Sequence, residues 1–219
     1  MSRISAELRK PAYGVLGNHD TVSMLRGLEE MGIRMLLNEN ETIKRNGRYI
    51  YLAGIDDAHF YRADNIEKAV SGIPNDEFSI LLSHTPKIYR QAALADFNVL
   101  LSGHTHGGQI CLPGRIPITL SSVLPRRMGA GAWKYRDMIG YTSVGAGSSI
   151  VPVRFNCPPE ITLHHLQVGE CSTRRVSPGS WRTTGIRCPK LRPLRCSILR
   201  RAPVKKFAHG CPLCCGDQL

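Results

Sequence analysis

A chain of 219 residues, 42% of them hydrophobic, is long enough to bury one substantial core, which excludes a wholly disordered or minimal disulfide-stapled polypeptide. Its formal net charge of +12 would suggest an anionic polymer or surface, but the charge is uneven: residues 1–166 hold 18 of the 29 Lys/Arg and 15 of the 17 Asp/Glu, a net of +3, and residues 167–219 hold 11 and 2, a net of +9. The basicity belongs to the tail, which argues against nucleic acid as the partner of the main body.

Cysteines divide in the same way. Cys111 and Cys157 stand alone in the first part, while six of the eight crowd the last 49 residues. Two scattered thiols fit a reducing or indifferent compartment. The N-terminal stretch lacks the apolar core of a signal peptide, and no run approaches the roughly 18–20 apolar residues of a membrane helix. The expectation is a cytoplasmic protein, membrane-associated only if an anchor precedes residue 1.

In chain order, "ISAELRK" reads as the end of a helix closed by Pro11, and "AYGVLG" (12–17) as a short buried strand ending in Asn18-His19-Asp20. Val22, Leu25, Leu28 and Met31 form one apolar stripe and predict a helix over 21–32, closed by Gly32. "IRMLL" (33–37) is the next strand. "ETIKRNGRYIYLAGIDD" predicts a hairpin turning at Asn46-Gly47. A helix over "ADNIEKAVSGI", with Asp64 near its start, leads to the apolar strand "FSILLSH" (78–84), which ends in His84. Pro86 opens the helix "PKIYRQAALAD". "FNVLLSGHTH" is one more buried strand, and "MIGYTSVGAG" and "EITLHHL" follow a Pro/Gly-rich loop over 113–131. Alternating helices and continuous apolar strands predict an α/β sheet with helices on its faces. From about residue 167 no period of 2 or 3.6 persists, so 1–166 reads as the domain and 167–219 as a disordered basic tail. In that tail His209, Cys211 and Cys214 have zinc-like spacing, but a second pair is poorly formed.

Three strands end alike, in "LGNHD", "LLSHTP" and "LLSGHTH", each delivering Asn or His where open α/β sheets place their sites. His104 and His106 are two apart, which on an extended segment aims both rings at one spot. Either a metal site or a polar strand end with an unusual turn satisfies that pair alone.

Together, "GNHD", "LLSHTP" and "SGHTHGGQ" resemble the calcineurin-like metallophosphoesterases, over residues 11 to about 166 and closest to a bacterial, membrane-associated phosphodiesterase branch. The resemblance implies an α/β/β/α sandwich and hydrolysis of a phosphomonoester, phosphodiester or pyrophosphate by two divalent ions (Mn, Fe, Zn or Ni). Lipid-linked or nucleotide-sugar substrates such as UDP-2,3-diacylglucosamine fall within that branch. By motif, Asn18, His84 and His104 would ligate one metal and His106 the other. His19 would assist the leaving oxygen, with Asp20 fixing its ring, and Gln109 would touch substrate. Asp20 is equally a helix N-cap by position.

The family pattern also carries a D-x-H strand and a G-D strand before "GNHD". Residues 1–17 contain neither Asp nor His, so the first strands of the sandwich and the bridging carboxylate have no counterpart in this sequence. A catalytically impaired fragment, or a non-catalytic metal-binding or interaction remnant, is therefore the competing reading. Asp56 and Asp57 follow "GNHD" and read as turn formers. His59, His164, His165 and His209 carry no motif and read as ordinary structural histidines.

Overall fold

The computed structural model describes residues 11–45, 47–120, 123–168, 186–187 and 194–203. Strand β1 (Ala12–Gly14) leads through a turn over residues 17–20 into a 3₁₀ turn at Val22–Met24 and helix α1 (Leu25–Glu30), then β2 (Ile33–Met35), which pairs parallel to β1. The expected 12-residue helix is thus shorter. Val22, the first member of its stripe, is 67% exposed, so it gains nothing from packing and the first turn tightens to 3₁₀.

The hairpin forms as β3 (Glu39–Arg45) and β4 (Arg48–Gly54), paired antiparallel. Gly47 takes the left-handed φ of 73° that its turn demands, while Asn46 lies outside the described residues. Helix α2 (Ile66–Val70) is capped by Asn65, not Asp64: the Asn65 carboxamide oxygen accepts from Lys68 N at 2.8 Å. After β5 (Ser79–Ser83), the Pro86 segment opens as a 3₁₀ turn, Pro86–Ile88, and continues as α3 (Tyr89–Leu94). Next come β6 (Val99–Ser102), the small ladder of β7 (Cys111–Leu112) with β8 (Ile116–Pro117), β9 (Gly131–Tyr135) and β10 (Met138–Thr142).

A six-stranded sheet in the order β3-β4-β5-β6-β10-β9 results, with β4, β5, β6 and β10 parallel and antiparallel strands at both edges. Successive side chains enter different cores. Ala53, Leu81 and Leu100 pack on one face with Tyr89 and Ala92 of α3, Trp133 and Met138. Leu52, Ile80, Val99 and Ile139 pack on the other with Leu36, Tyr13 and Val15 from the β1–β2 side. A continuous apolar run is what a strand buried on both faces requires, and the expected sandwich of sheet against sheet with helices outside is the outcome.

Beyond it, β11 (Glu160–Val168) pairs antiparallel with β13 (Leu194–Pro203), which also pairs with β12 (Ile186–Arg187). β11 is the predicted strand "EITLHHL", whereas β12 and β13 lie in the stretch from 167 onward that shows no sustained period in sequence; the other residues from 169 to 219 lie outside the described set.

Leu81 is fully buried in the helix-side core, so Leu81→Ala should lower the unfolding free energy by about 2–5 kcal/mol in urea titration. A loss below about 1 kcal/mol would show that this face is not the packed core described.

Candidate metal centre at the strand ends

Parallel pairing of β5 with β6 sets Ser83 opposite Ser102, and Gly103 N donates to the His84 carbonyl at 3.0 Å. His84 and the turn bearing His104 therefore leave the sheet side by side. Residues 17–20 approach from β1 as a turn closed in both directions: Asp20 N donates to the Gly17 carbonyl at 3.0 Å, and Gly17 N donates to Asp20 Oδ2 at 2.7 Å. Asn18 and His19 occupy its tip. A Cβ on Gly17 would fall 2.5 Å from His84 Nδ1, so glycine is what lets the imidazole lie against the turn.

Asn18 Oδ1 lies 2.7 Å from His84 Nε2, which lies 3.0 Å from His104 Nδ1. Two atoms each about 2.1 Å from one ion and at right angles to each other would be about 3.0 Å apart. One amide oxygen and two imidazole nitrogens suit a borderline divalent ion. Among the described residues no three His, Cys, Asp or Glu side chains group as a metal site, so the third donor here is the asparagine.

His106 stands differently. Its Nδ1 is 3.3 Å from Arg154 Nη2, and Arg154 also donates to the carbonyls of Val144, Gly147, Cys157 and His106 itself. The extended geometry expected of residues 104–106 is not what orients these rings. β6 stops at Ser102, and His104 and His106 take left-handed φ of 68° and 49°. Thr105 N donates to the Gly103 carbonyl at 2.8 Å around His104, a γ-turn held by the buried Thr105 hydroxyl, which donates to the Gly129 carbonyl at 2.6 Å.

Two further expectations change. The buried Gln109 carboxamide bonds a neighbouring loop rather than facing solvent: Nε2 donates to the carbonyls of Ser149 and Val151 at 3.0 and 2.8 Å, and Oε1 accepts from Ser149 N at 2.7 Å. A side chain bonded on both its polar ends has little left for substrate. The Asp20 carboxylate accepts from Gly17 N and so closes its own turn; Thr21 holds the N-cap position of the 3₁₀ turn, without a side-chain cap bond.

Sequence reasoning missed His59. Asp57 is fully buried, and its carboxylate accepts from the N–H groups of His59, Phe60 and Tyr61 at 3.0, 2.6 and 2.8 Å. This clamp presents His59 from the end of β4, its ring centroid 4.3 Å from that of His104. Lys87 Nζ sits 2.5 Å from His59 Nδ1. A signal existed: "GIDDAH" follows an apolar strand with a His close behind its end, as the three recognised strand ends do.

Burial holds the His84 ring below its ordinary pKa, opposed by the Asp57 and Asp20 carboxylates and reinforced by His106 and His59. Burial, then Lys87, lowers His59, with Asp57 opposing. Burial, then Arg154, lowers His106, against a bond to the Gly147 carbonyl. For Asp57, burial would raise the pKa, but the three backbone donors outweigh it and the net shift is downward. The centre thus favours neutral imidazoles, the form that ligates a cation. Beside it, a groove of about 310 Å³ is lined by Tyr13, Val15, Leu82, His84, Leu101 and Gly103.

No family model matches the chain, and no solved structure matches it significantly. Curated relatives do. An uncharacterized metallophosphoesterase, YkoQ, of Bacillus subtilis (strain 168) is 34% identical over 72% of this chain and 62% of its own length. A transmembrane protein with metallophosphoesterase domain from Bos taurus is 32% identical over 73% and 39%, and phosphodiesterase YaeI of Escherichia coli (strain K12) is 28% identical over 71% and 58%. The chain thus spans less than two thirds of each of these proteins. Among the described residues no helix is long and apolar enough to cross a membrane.

The lowered histidines fix a pH dependence. In the unfolded chain they titrate near 6.5, so as pH falls through 6.5 the unfolded state binds more protons than the folded one and stability declines; above that pH their contribution is fully present. The lowered Asp57 acts in a separate window, its stabilisation present above 3.8 and lost as pH falls through its lower folded pKa. Melting temperature at constant ionic strength should therefore drop between about pH 6.5 and 5. A rise over that interval would contradict neutral, buried imidazoles.

Proposed function

The chain is a member of the calcineurin-like metallophosphoesterase family, and we propose that it carries the core of a metal-dependent hydrolase acting on a phosphodiester, phosphomonoester or pyrophosphate bond. The observation that supports this reading is the meeting of Asn18 Oδ1, His84 Nε2 and His104 Nδ1 at the ends of neighbouring elements. These three would hold a divalent ion, which when bound would supply Lewis-acid charge for the phosphate and a nucleophile near neutral pH.

The chain's own residues do the rest. Gly17 seats the His84 ring, and the Asp20–Gly17 bonds hold Asn18 and the exposed His19 at one turn tip. His19 donates to the leaving oxygen, positioned through the backbone that Asp20 braces. Arg154 and Gly147 order His106 at the opposite rim. His106 alone does not make a second ion site among the described residues, so no step is drawn through a second ion. The two-ion mechanism belongs to a site completed by the carboxylates of D-x-H and G-D segments.

On the substrate side, Phe60 and Tyr61, 70% and 54% exposed, pack edge to face on the loop that carries His59. They offer an aromatic surface beside the phosphate position and support a substrate with an apolar or base-like moiety, the class that includes lipid-linked and nucleotide-sugar pyrophosphates.

The test is hydrolysis of bis(p-nitrophenyl) phosphate with Mn²⁺ by the 219-residue chain and by a version extended upstream with D-x-H and G-D segments of a relative. The extended protein should turn over about 100-fold faster or more, because a bridging carboxylate positions the nucleophile. His104→Ala should abolish the rate in both. Equal rates in both would show that the missing carboxylates are dispensable. An extended protein without metal-dependent turnover would overturn the hydrolase reading in favour of a non-catalytic remnant.

A further inference from the structure

The Asp57 clamp and the Lys87–His59 pair are not among the family motifs recognised in the sequence, yet they border the metal centre. β4, β5 and β6 are adjacent and parallel, so the loop after β4 and the segment after β5 meet at the same edge. The first brings His59 and the second brings Lys87, three residues beyond His84. Lys87 is half-buried, and its hydrogen-bonded partner among the described residues is His59 Nδ1. No carboxylate among those residues pairs with the ammonium.

That geometry dictates what the pair can offer. An ammonium only donates, so His59 Nδ1 accepts, and the neutral ring carries its proton on Nε2. Lys87 retains two N–H donors beyond the one given to His59. The His59 ring lies beside that of His104, centroids 4.3 Å apart at a 47° tilt, so the pair borders the candidate ion-binding cluster. Three donors and one net positive charge without a carboxylate partner form a receptor for an oxyanion. The backbone behind it is rigid, because the buried Asp57 fixes three consecutive N–H groups of the loop.

We propose that Lys87 and His59 form an anion-binding pair that grips a non-bridging phosphate oxygen of the substrate beside the Asn18–His84–His104 cluster. This rests on the phosphoesterase reading above and adds to it two substrate-binding residues with distinct duties. Lys87 supplies charge and sets the His59 tautomer; His59 supplies a directed N–H from the side of His104. Asp57 is a positioning residue, acting through the loop.

The experiment uses the 219-residue chain with inorganic phosphate as probe and Mn²⁺ followed separately by electron paramagnetic resonance. Phosphate binding by equilibrium dialysis should weaken at least about tenfold in Lys87→Gln and in His59→Phe, with Lys87→Arg retaining most of it and Mn²⁺ affinity unchanged in all three. His104→Ala should instead lose Mn²⁺, so failure of the metal reading is seen independently of the anion pair. Should a variant fold poorly by circular dichroism, ¹⁵N-histidine spectra of the unaltered chain decide: phosphate should shift the His59 signals, with Nδ1 unprotonated beforehand. Wild-type phosphate affinity in both substitutions, no phosphate binding by the unaltered chain, His59 signals indifferent to phosphate, or loss of Mn²⁺ in His59→Phe would each overturn the proposal.

Discussion

The meeting of His59, His84 and His104 at the candidate centre depends on the parallel alignment of β4, β5 and β6. Adjacent parallel strands in matched register finish at the same height, and their backbone bonds permit little slippage when both faces are buried. Ser83 opposite Ser102 fixes where His84 and His104 emerge, and the Gly103–His84 backbone bond extends the ladder one step past the strands. The cores on both faces hold that alignment. The imidazoles therefore need no flexible arm to meet; the sheet has already brought their backbones together.

A second layer of order comes from polar groups that are buried and fully engaged. Trp133 Nε1 donates to Thr142 Oγ1 at 2.9 Å, and that hydroxyl donates to the Met128 carbonyl at 2.7 Å, while Thr105 secures the Gly129 carbonyl nearby. Gly140 leaves room for this arrangement, since a Cβ there would meet the indole at 2.2 Å. Such bonds are worth more for the geometry they impose than for their net energy, about 1 kcal/mol each. Arg154 has the same function on the far side, gathering carbonyls from residues 144 to 157 around His106.

How much of this was legible depends on whether the determining contact is local. The strand ends were, because apolar runs stop abruptly at Asn18, His84 and His104. The role of Gln109 was not: nothing near it in sequence shows that residues 149–151 fold back onto its amide. His59 was passed over for the same reason, since its neighbours Lys87 and His104 are 28 and 45 positions away. Helix lengths failed where a stripe exists without a surface to cover it, as at Val22. β9 falls between the loop predicted over 113–131 and the strand predicted from Met138, because its five residues are a strand through pairing with β10 rather than through propensity.

The left-handed backbone at His104 and His106 carries a consequence for how this turn can vary. A side chain at positive φ costs stability wherever it is not glycine or asparagine, and such strain persists only where the surrounding structure enforces it. Here the imidazole reaches to 3.0 Å from His84 Nε2, while the backbone would be more comfortable without it. Glycine at residue 104 would relax the γ-turn and remove the ring that meets His84 in one step. Backbone ease and a ring beside His84 are thus two demands on residue 104 that point to different amino acids.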